Sequence, residues 1–214
     1  MFRKKIKCKE DKRPYIKYYP VDRTKIEAKD LTMCVSIDIG IKNFALRIEE
    51  RKEVKLPVIF EKMDFKGESE SGPSTISPIV MNTIFEYLKS RWFYISQCNL
   101  VLIERQMGTN PKSISISMIV LTYVLLKIKD FPSNVVVCDI NPKAKNKHFN
   151  APKHVTSYGL KKWAVDKAIE VLRMRSDDWS ADIIVKERGK TKSKGDDLAD
   201  TVLQLDAFFK SVEQ

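Results

Sequence analysis

Five carboxylates in this chain stand where a carboxylate needs a reason. Asp38 interrupts the apolar run VSIDIGIKNFALRI, and Glu104 ends the apolar run LVLIE. Asp196, Asp197 and Asp200 crowd the stretch GDDLADTVLQL near the end of the chain. A carboxylate in a strand core costs several kcal/mol unless something pairs with it. Asp38 and Glu104 therefore each ask for a basic neighbour, such as Lys42 or Arg105, or for a metal ion. At roughly 100° per residue, a helix through the last stretch puts Leu198, Val202, Leu205 and Phe209 on one face and the three aspartates opposite. Asp197 and Asp200 are then i, i+3 neighbours and Asp196 and Asp200 are i, i+4 neighbours; either pair can converge on one ion. The plainer reading is that Asp196 and Asp197 cap the helix and complement its dipole.

Taken together, the carboxylates favour a metal. Clustered acids raise one another's pKa, and divalent cations, which prefer oxygen ligands, relieve the repulsion. An acidic metal site in a basic protein points to phosphodiester chemistry. Two Mg²⁺ ions about 4 Å apart can activate a water and stabilise the leaving 3′ oxygen of an in-line displacement.

The charge supports such a substrate. The chain has 214 residues and a net charge of +11, with a pI near 9.4. Its basic residues cluster at FRKKIKCK, NPKAKNKHFNAPKH and KERGKTKSK. Clusters of this kind suit a polyanion, most often nucleic acid, although lysine-rich surfaces also serve solubility. An apolar fraction of 43% is enough for a core without staples. The cysteines (Cys8, Cys34, Cys98, Cys138) lack zinc-ligand spacing and read as small buried residues in a reduced compartment. No run of about 18 apolar residues predicts a membrane span, and the N-terminal stretch lacks the apolar segment of a secretory signal. An intracellular location is expected.

The elements that must position the acids follow from periodicity. Residues 1–30 read as a basic arm and 31–214 as one domain. MCVSIDIG, FALRIEE and KLPVIFEKMDF form a strand meander, followed by the Ser/Gly/Pro loop KGESESGPSTISP. A helix over SPIVMNTIFEYLKSRWFYI precedes the buried strand CNLVLIERQ. ISISMIVLTYVLLKIKDF is long enough for a helix despite its β-branched residues, and NVVVCDINP is a fifth strand stopped by Pro142. A basic loop, KAKNKHFNAPKH, leads to the helix VTSYGLKKWAVDKAIEVLRMR, then a loop or short extra element, then the final helix. Strands separated by helices predict an α/β fold with helices on the faces of a mixed sheet.

The ordered set SIDIGIKNFAL, VLIERQ, LKKWAVDKAIEVL and KGDDLADTVLQL resembles the RuvC-class Holliday junction resolvases, above all their poxvirus-type and fungal mitochondrial branch. The resemblance spans roughly residues 33–210. It implies an RNase H-like five-stranded mixed sheet flanked by helices. It implies that Asp38, Glu104, Asp197 and Asp200 bind Mg²⁺, with Mn²⁺ substituting, and leaves Asp196 as a neighbour or cap. Lys162 matches a lysine that supports catalysis near the phosphate, with Lys161 adjacent and open as the alternative. Gly40 would let the backbone approach the phosphate. The implied partner is branched DNA, a four-way junction nicked symmetrically by a homodimer. The apolar helix ISISMIVLTYVLLKI is a candidate dimer interface, unless it is buried within one protomer. Phe149, Tyr158 and Trp163 could stack on unpaired bases or belong to the core. The family's activity serves recombination or the processing of replicated viral DNA; a viral chain would act in the host cytoplasm, with the mitochondrion as the other location.

Three rivals share parts of the pattern. Actin- or hexokinase-like ATPases carry an IDIG motif, but they need glycine-rich turns, and the seven glycines here never pair or take GxG spacing. Another RNase H-like nuclease, cutting flaps or RNA–DNA hybrids, would use the same carboxylates. A non-catalytic nucleic-acid binder would not need all four.

Overall fold

The computed structural model describes residues 16–19, 27–51, 55–65, 76–106, 110–189 and 195–213. The basic cluster at residues 2–9 with Cys8, most of the Ser/Gly/Pro loop, residues 107–109 and the KTKSK end of the third basic cluster lie outside them. The element order is β1 (Ile16–Tyr19), β2 (Met33–Asp38), β3 (Phe44–Arg51), β4 (Lys55–Met63), α1 (Pro78–Ile95), β5 (Leu100–Glu104), α2 (Pro111–Leu126), β6 (Val136–Ile140), α3 (Lys143–His148), α4 (Ser157–Met174), α5 (Asp178–Arg188) and α6 (Asp196–Val212).

The strands form one mixed sheet in the order β1-β6-β5-β2-β3-β4. β2, β5 and β6 run parallel, while β1, β3 and β4 pair antiparallel with their neighbours. The sheet has six strands rather than the expected five. The extra strand, β1, lies inside the stretch read as an arm: Ile16 pairs with Ile140 and Tyr19 with Val137. Four residues between two prolines carry too little periodicity to be seen in sequence. Their partner strand β6, together with the hydrogen bond from the Tyr19 hydroxyl to Asp139 at 2.8 Å, supplies the order.

Alternation sorts the two faces of the sheet. Val35, Ile37, Val101, Ile103 and Val137 pack with α1 and α2. Cys34, Leu100, Leu102 and Cys138 face α6 through Leu205 and Phe208. Ala45 and Phe60 meet α4, α5 and α6 through Ala168, Ile184, Leu198 and Val202. α2 starts at Pro111, inside the stretch expected as a turn before Ile114, and the expected loop or short element before the last helix contains the 11-residue α5. Ser77, Asn110, Thr156 and Asp177 each accept a backbone N–H in the first turn of α1, α2, α4 and α5. Cys34, Cys98 and Cys138 are free and buried, as their apolar surroundings predict.

Two further local expectations change. The basic loop after β6 contains the short helix α3, which lacks a side-chain cap and is only six residues long. Gly195, not an aspartate, holds the cap position of α6, with φ of 68° and a place 3.2 Å from the Ile184 carbonyl for any added Cβ. Asp196 and Asp197 lie inside the first turn.

An ionic network ties the α4–α5 connection to β3. The fully buried Arg47 donates to Glu49 (2.6 Å), Asp177 (2.8 Å) and the Ser180 hydroxyl (3.0 Å). Arg51 bonds Glu49 at 2.7 Å and Asp206 at 3.1 Å, and Arg175 pairs with Asp206. Burial pushes the Glu49 carboxyl up, but the guanidinium groups of Arg47, Arg51 and Arg175 outweigh it and hold it below its ordinary value.

Candidate active site

Asp38 and Glu104 are the last residues of adjacent parallel strands, and the pairing of Ile37 with Ile103 sets them side by side. The chain continues from β2 to β3 on one side and reaches β5 on the other, so this is a switch point of the sheet, where α/β folds bind ligands. Both side chains fall on the α6 face. Asp200 comes down from α6, and Lys145 enters from α3.

These four groups form one electrostatic unit. Asp38 is only 6% exposed. Burial, then the nearby Glu104 and its hydrogen bond, then Asp200, raise its pKa well above the ordinary value, with Lys145 opposing. Burial also raises Asp200, with Lys145 opposing and Glu104 and Asp196 adding to the rise. Burial lowers Lys145, but Asp200, Glu104 and Asp38 more than reverse this, so its ammonium is held charged. Lys145 bonds Asp200 directly. The group bonded to the buried Asp38 is Glu104, and the cation acting on it is Lys145, 107 positions away in sequence; Arg105 is engaged by Asp139.

One ammonium does not balance three carboxylates. Oδ1 of Asp200 is buried with no hydrogen-bond partner. Among the described residues no three His, Cys, Asp or Glu side chains converge on a single ion position as they stand. The donor set is nevertheless all-oxygen, of the kind that suits Mg²⁺ or Mn²⁺, and it has an unsatisfied oxygen to offer. A cation there would compete with Lys145 for Asp200.

The remaining acids lie one helical turn away. Asp197 is pushed up to about 6 by burial and by Asp196 and Asp200, with Lys62 and Lys161 opposing. Its Oδ2 stands 3.5 Å from Lys62 Nζ of β4. Asp196, which is buried, pairs with Lys161 of α4. Of the two adjacent lysines it is thus Lys161 that reaches the aspartates, and Lys162 is exposed on α4. The lysine among the strand-end carboxylates is Lys145, which sequence reasoning passed over. Its one signal is position: it follows the end of β6, the parallel strand next to β5.

The elements that carry Lys145 and Lys161 are basic on their exposed sides. Lys143, Lys147, Lys153, Lys161 and Lys162 are exposed on α3, α4 and the connection between them. Of the three aromatics that could stack on bases or belong to the core, Phe149 and Trp163 pack against core clusters, while Tyr158 is 64% exposed. Gly40 has a reason closer than a phosphate: a Cβ there would lie 3.1 Å from the Asn43 carbonyl oxygen within its own turn.

No protein-family model matches the chain. It is similar to the uncharacterized protein 97L of invertebrate iridescent virus 3, at 25% identity over 217 residues, covering 83% of this chain and 100% of that one. Among solved structures it resembles the yeast mitochondrial Holliday junction resolvase, with a TM-score of 0.60 at 15% identity, over 84% of this chain and 78% of that one. It also resembles the fowlpox virus resolvase, solved with its substrate Holliday junction DNA, with a TM-score of 0.56 at 20% identity, over 85% and 99% of the two chains. The chain has the resolvase fold. This is the RNase H-like architecture that the motifs around Asp38, Glu104 and Asp200 implied, with an added edge strand. In the resolvase fold of this chain, the sheet's switch point carries the acids and α6 supplies the last of them. No described helix is long and apolar enough to cross a membrane.

Proposed function

We propose that this protein is a structure-specific endonuclease that resolves four-way DNA junctions by symmetric, divalent-metal-dependent hydrolysis of phosphodiester bonds, in recombination or in processing replicated viral DNA. The observation that carries the reading is the meeting of Asp38, Glu104 and Asp200 around Lys145 at the ends of parallel strands. The basic composition and the resolvase fold agree with it.

In this reading Asp38, Glu104, Asp197 and Asp200 hold Mg²⁺, for which Mn²⁺ substitutes. Bound divalent ions supply a water of lowered pKa and neutralise charge on the leaving 3′ oxygen. The chain's own groups do the rest. Asp38, Glu104 and Asp200 would have to be ionised to hold the ions, and Asp200 would have to leave Lys145. Lys145, released from Asp200, donates to a non-bridging oxygen of the scissile phosphate. Lys161 and Lys162 hold the flanking backbone, and Tyr158 offers a face for an unpaired base. For a relative of an iridescent virus protein the place of action is the host cytoplasm, the mitochondrion being the alternative that the yeast neighbour suggests.

This reading includes a homodimer through α2, although Leu121 and Leu125 also pack partly on the protomer's own core. Ser113, Ile116, Val120 and Val124 are its buried face. Ile114, Met118, Leu121 and Leu125 form a second apolar stripe spaced 4-3-4, with Met118 55% exposed. A seam with that spacing packs against its own copy across a twofold axis, and a twofold dimer matches the near-twofold symmetry of a junction. Met118→Glu is expected to convert the dimer to monomer in sedimentation and to uncouple the two nicks. A variant that stays dimeric would place the interface elsewhere.

The test of the activity is cleavage in Mg²⁺ of a synthetic four-way junction beside linear duplex, flap and RNA–DNA hybrid. The junction should be cut and the others spared. Equal cutting of duplex would remove junction specificity, and preference for the hybrid would support the other RNase H-like reading. In the same assay Asp197→Asn should lose at least about 100-fold in rate, as removal of a metal-binding or metal-orienting group does. Asp196→Asn should stay within a few-fold of the parent. The reverse order would exchange the roles of the two aspartates.

A further inference from the structure

Directly paired residues on neighbouring strands project from the same face. Asp38 pairs with Ala45 and Ala45 with Lys62, so these three form a row across β2, β3 and β4 at the active end of the sheet. Ala45 is fully buried and small, and the first turn of α6 packs on it through Leu198 and Ala199. Lys62 reaches past it to the same turn. Its Nζ lies 3.5 Å from Asp197 Oδ2 and 4.0 Å from Glu187 Oε2 of α5. The three side chains are only 16–17% exposed. One ammonium is therefore shared by two carboxylates, and one of these is a proposed cation ligand.

We propose that Lys62 is a positioning residue that holds Asp197 away from the cation and passes to Glu187 when Asp197 turns inward. This rests on the reading of Asp197 as a metal ligand, although not on the identity of the DNA. The physical case is competition. An ion pair between partly screened groups is worth at most a few-fold in an equilibrium, so Lys62 tunes cation affinity without abolishing it. Glu187 works in the opposite sense, since it draws Lys62 off Asp197. Lys161 pairs with Asp196 and Lys145 with Asp200, so each aspartate of the turn has its own lysine among the described residues, and Lys62 stands near a second acid, Glu187.

The test is calorimetric titration of the full chain with Mn²⁺ in the absence of DNA. Lys62→Met should bind Mn²⁺ about threefold to fivefold more tightly, and Glu187→Gln more weakly by a similar factor. Lys62→Arg, which keeps the charge, should return affinity toward that of the parent. The deciding measurement repeats Lys62→Met in an Asp197→Asn background, where the gain should vanish. A gain that persists there would make Lys62 a general contributor to the local field, and the proposal would fall. Weaker binding by Lys62→Met, or no Mn²⁺ binding by the parent, would also overturn it. If these responses appear but no junction is cut, the junction reading fails and the role of Lys62 stands.

Discussion

Asp38→Asn will bind a four-way junction as the parent does and will fail to cut it, with the rate down by at least about a thousandfold. Asn keeps the size and the hydrogen bonding of the side chain but cannot carry the charge that a divalent ion needs. Asp38 is the group with most at stake: it faces Glu104, Asp200 and Lys145 at once. The same substitution should not weaken the fold. Burial and its acidic neighbours raise the Asp38 pKa well above its ordinary value of 3.8, so the folded state disfavours the ionised form. Stability from this group therefore falls as pH rises from the unfolded pKa toward the folded one, and the penalty is fully present above both. A neutral Asn escapes it. Thermal unfolding of Asp38→Asn at neutral pH without divalent ions is expected at or above the temperature of the parent. Cleavage at the parental rate would remove Asp38 from the chemistry, and a large fall in melting temperature would show that its role is structural.

The largest effect on stability is expected at Arg47. Its three donors are all used, on Glu49, Asp177 and Ser180, in a place with no solvent access. Its guanidinium also lies 4.9 Å from the centre of the Phe60 ring. Arg47→Ala strands Asp177 and part of the charge on Glu49 in a buried site, a loss that costs about 3–5 kcal/mol. For a chain of this size the melting temperature should drop by roughly 10 °C. The network also has a pH signature. Glu49 titrates below its ordinary value of 4.5, so its contribution is complete above the unfolded pKa and is lost as pH falls through the lower, folded one. Acid sensitivity below the usual glutamate range should therefore be blunted in Arg47→Ala. A shift of less than about 2 °C would mean that water or rearrangement replaces the arginine. Because Asp177 also caps α5, the variant should loosen the α4–α5 connection first, which hydrogen exchange can follow.

What the sequence disclosed and what it hid have physical reasons. Asp38 and Glu104 were visible because a charge in an apolar strand breaks the burial pattern, and a strand end is where such a break has a use. Asp200 was visible through helical spacing. The helix around it was not read fully, for α6 is buried on nearly every side, Asp196 included, where an acidic face opposite an apolar one was expected. Lys145 was hidden because one lysine in a lysine-rich stretch resembles the rest. Only the fold brings α3 over the ends of β5 and β6, where Lys145 is buried. The matching of Lys162 to a supporting lysine followed the local motif, which fixes position along the chain but not which face of α4 a side chain takes. β1 was hidden for want of length, since a four-residue edge strand depends on its partner more than on its own pattern. The pairing of Arg47 and Arg51 in FALRIEER is only half local: Glu49 is two residues away, but Asp177, Ser180 and Asp206 lie more than a hundred residues on.

In the proposed reaction these acids cut two strands of like polarity in a four-way junction in concert. The most direct measurement maps the cuts on a single labelled four-way junction in Mg²⁺ and asks whether the products can be rejoined by DNA ligase. Two nicks are expected at matching positions in strands of like polarity, with ends that ligate, and no nicks with Asp38→Asn. Unpaired or scattered cuts, ends that do not ligate, or binding without cleavage in both Mg²⁺ and Mn²⁺ would contradict it.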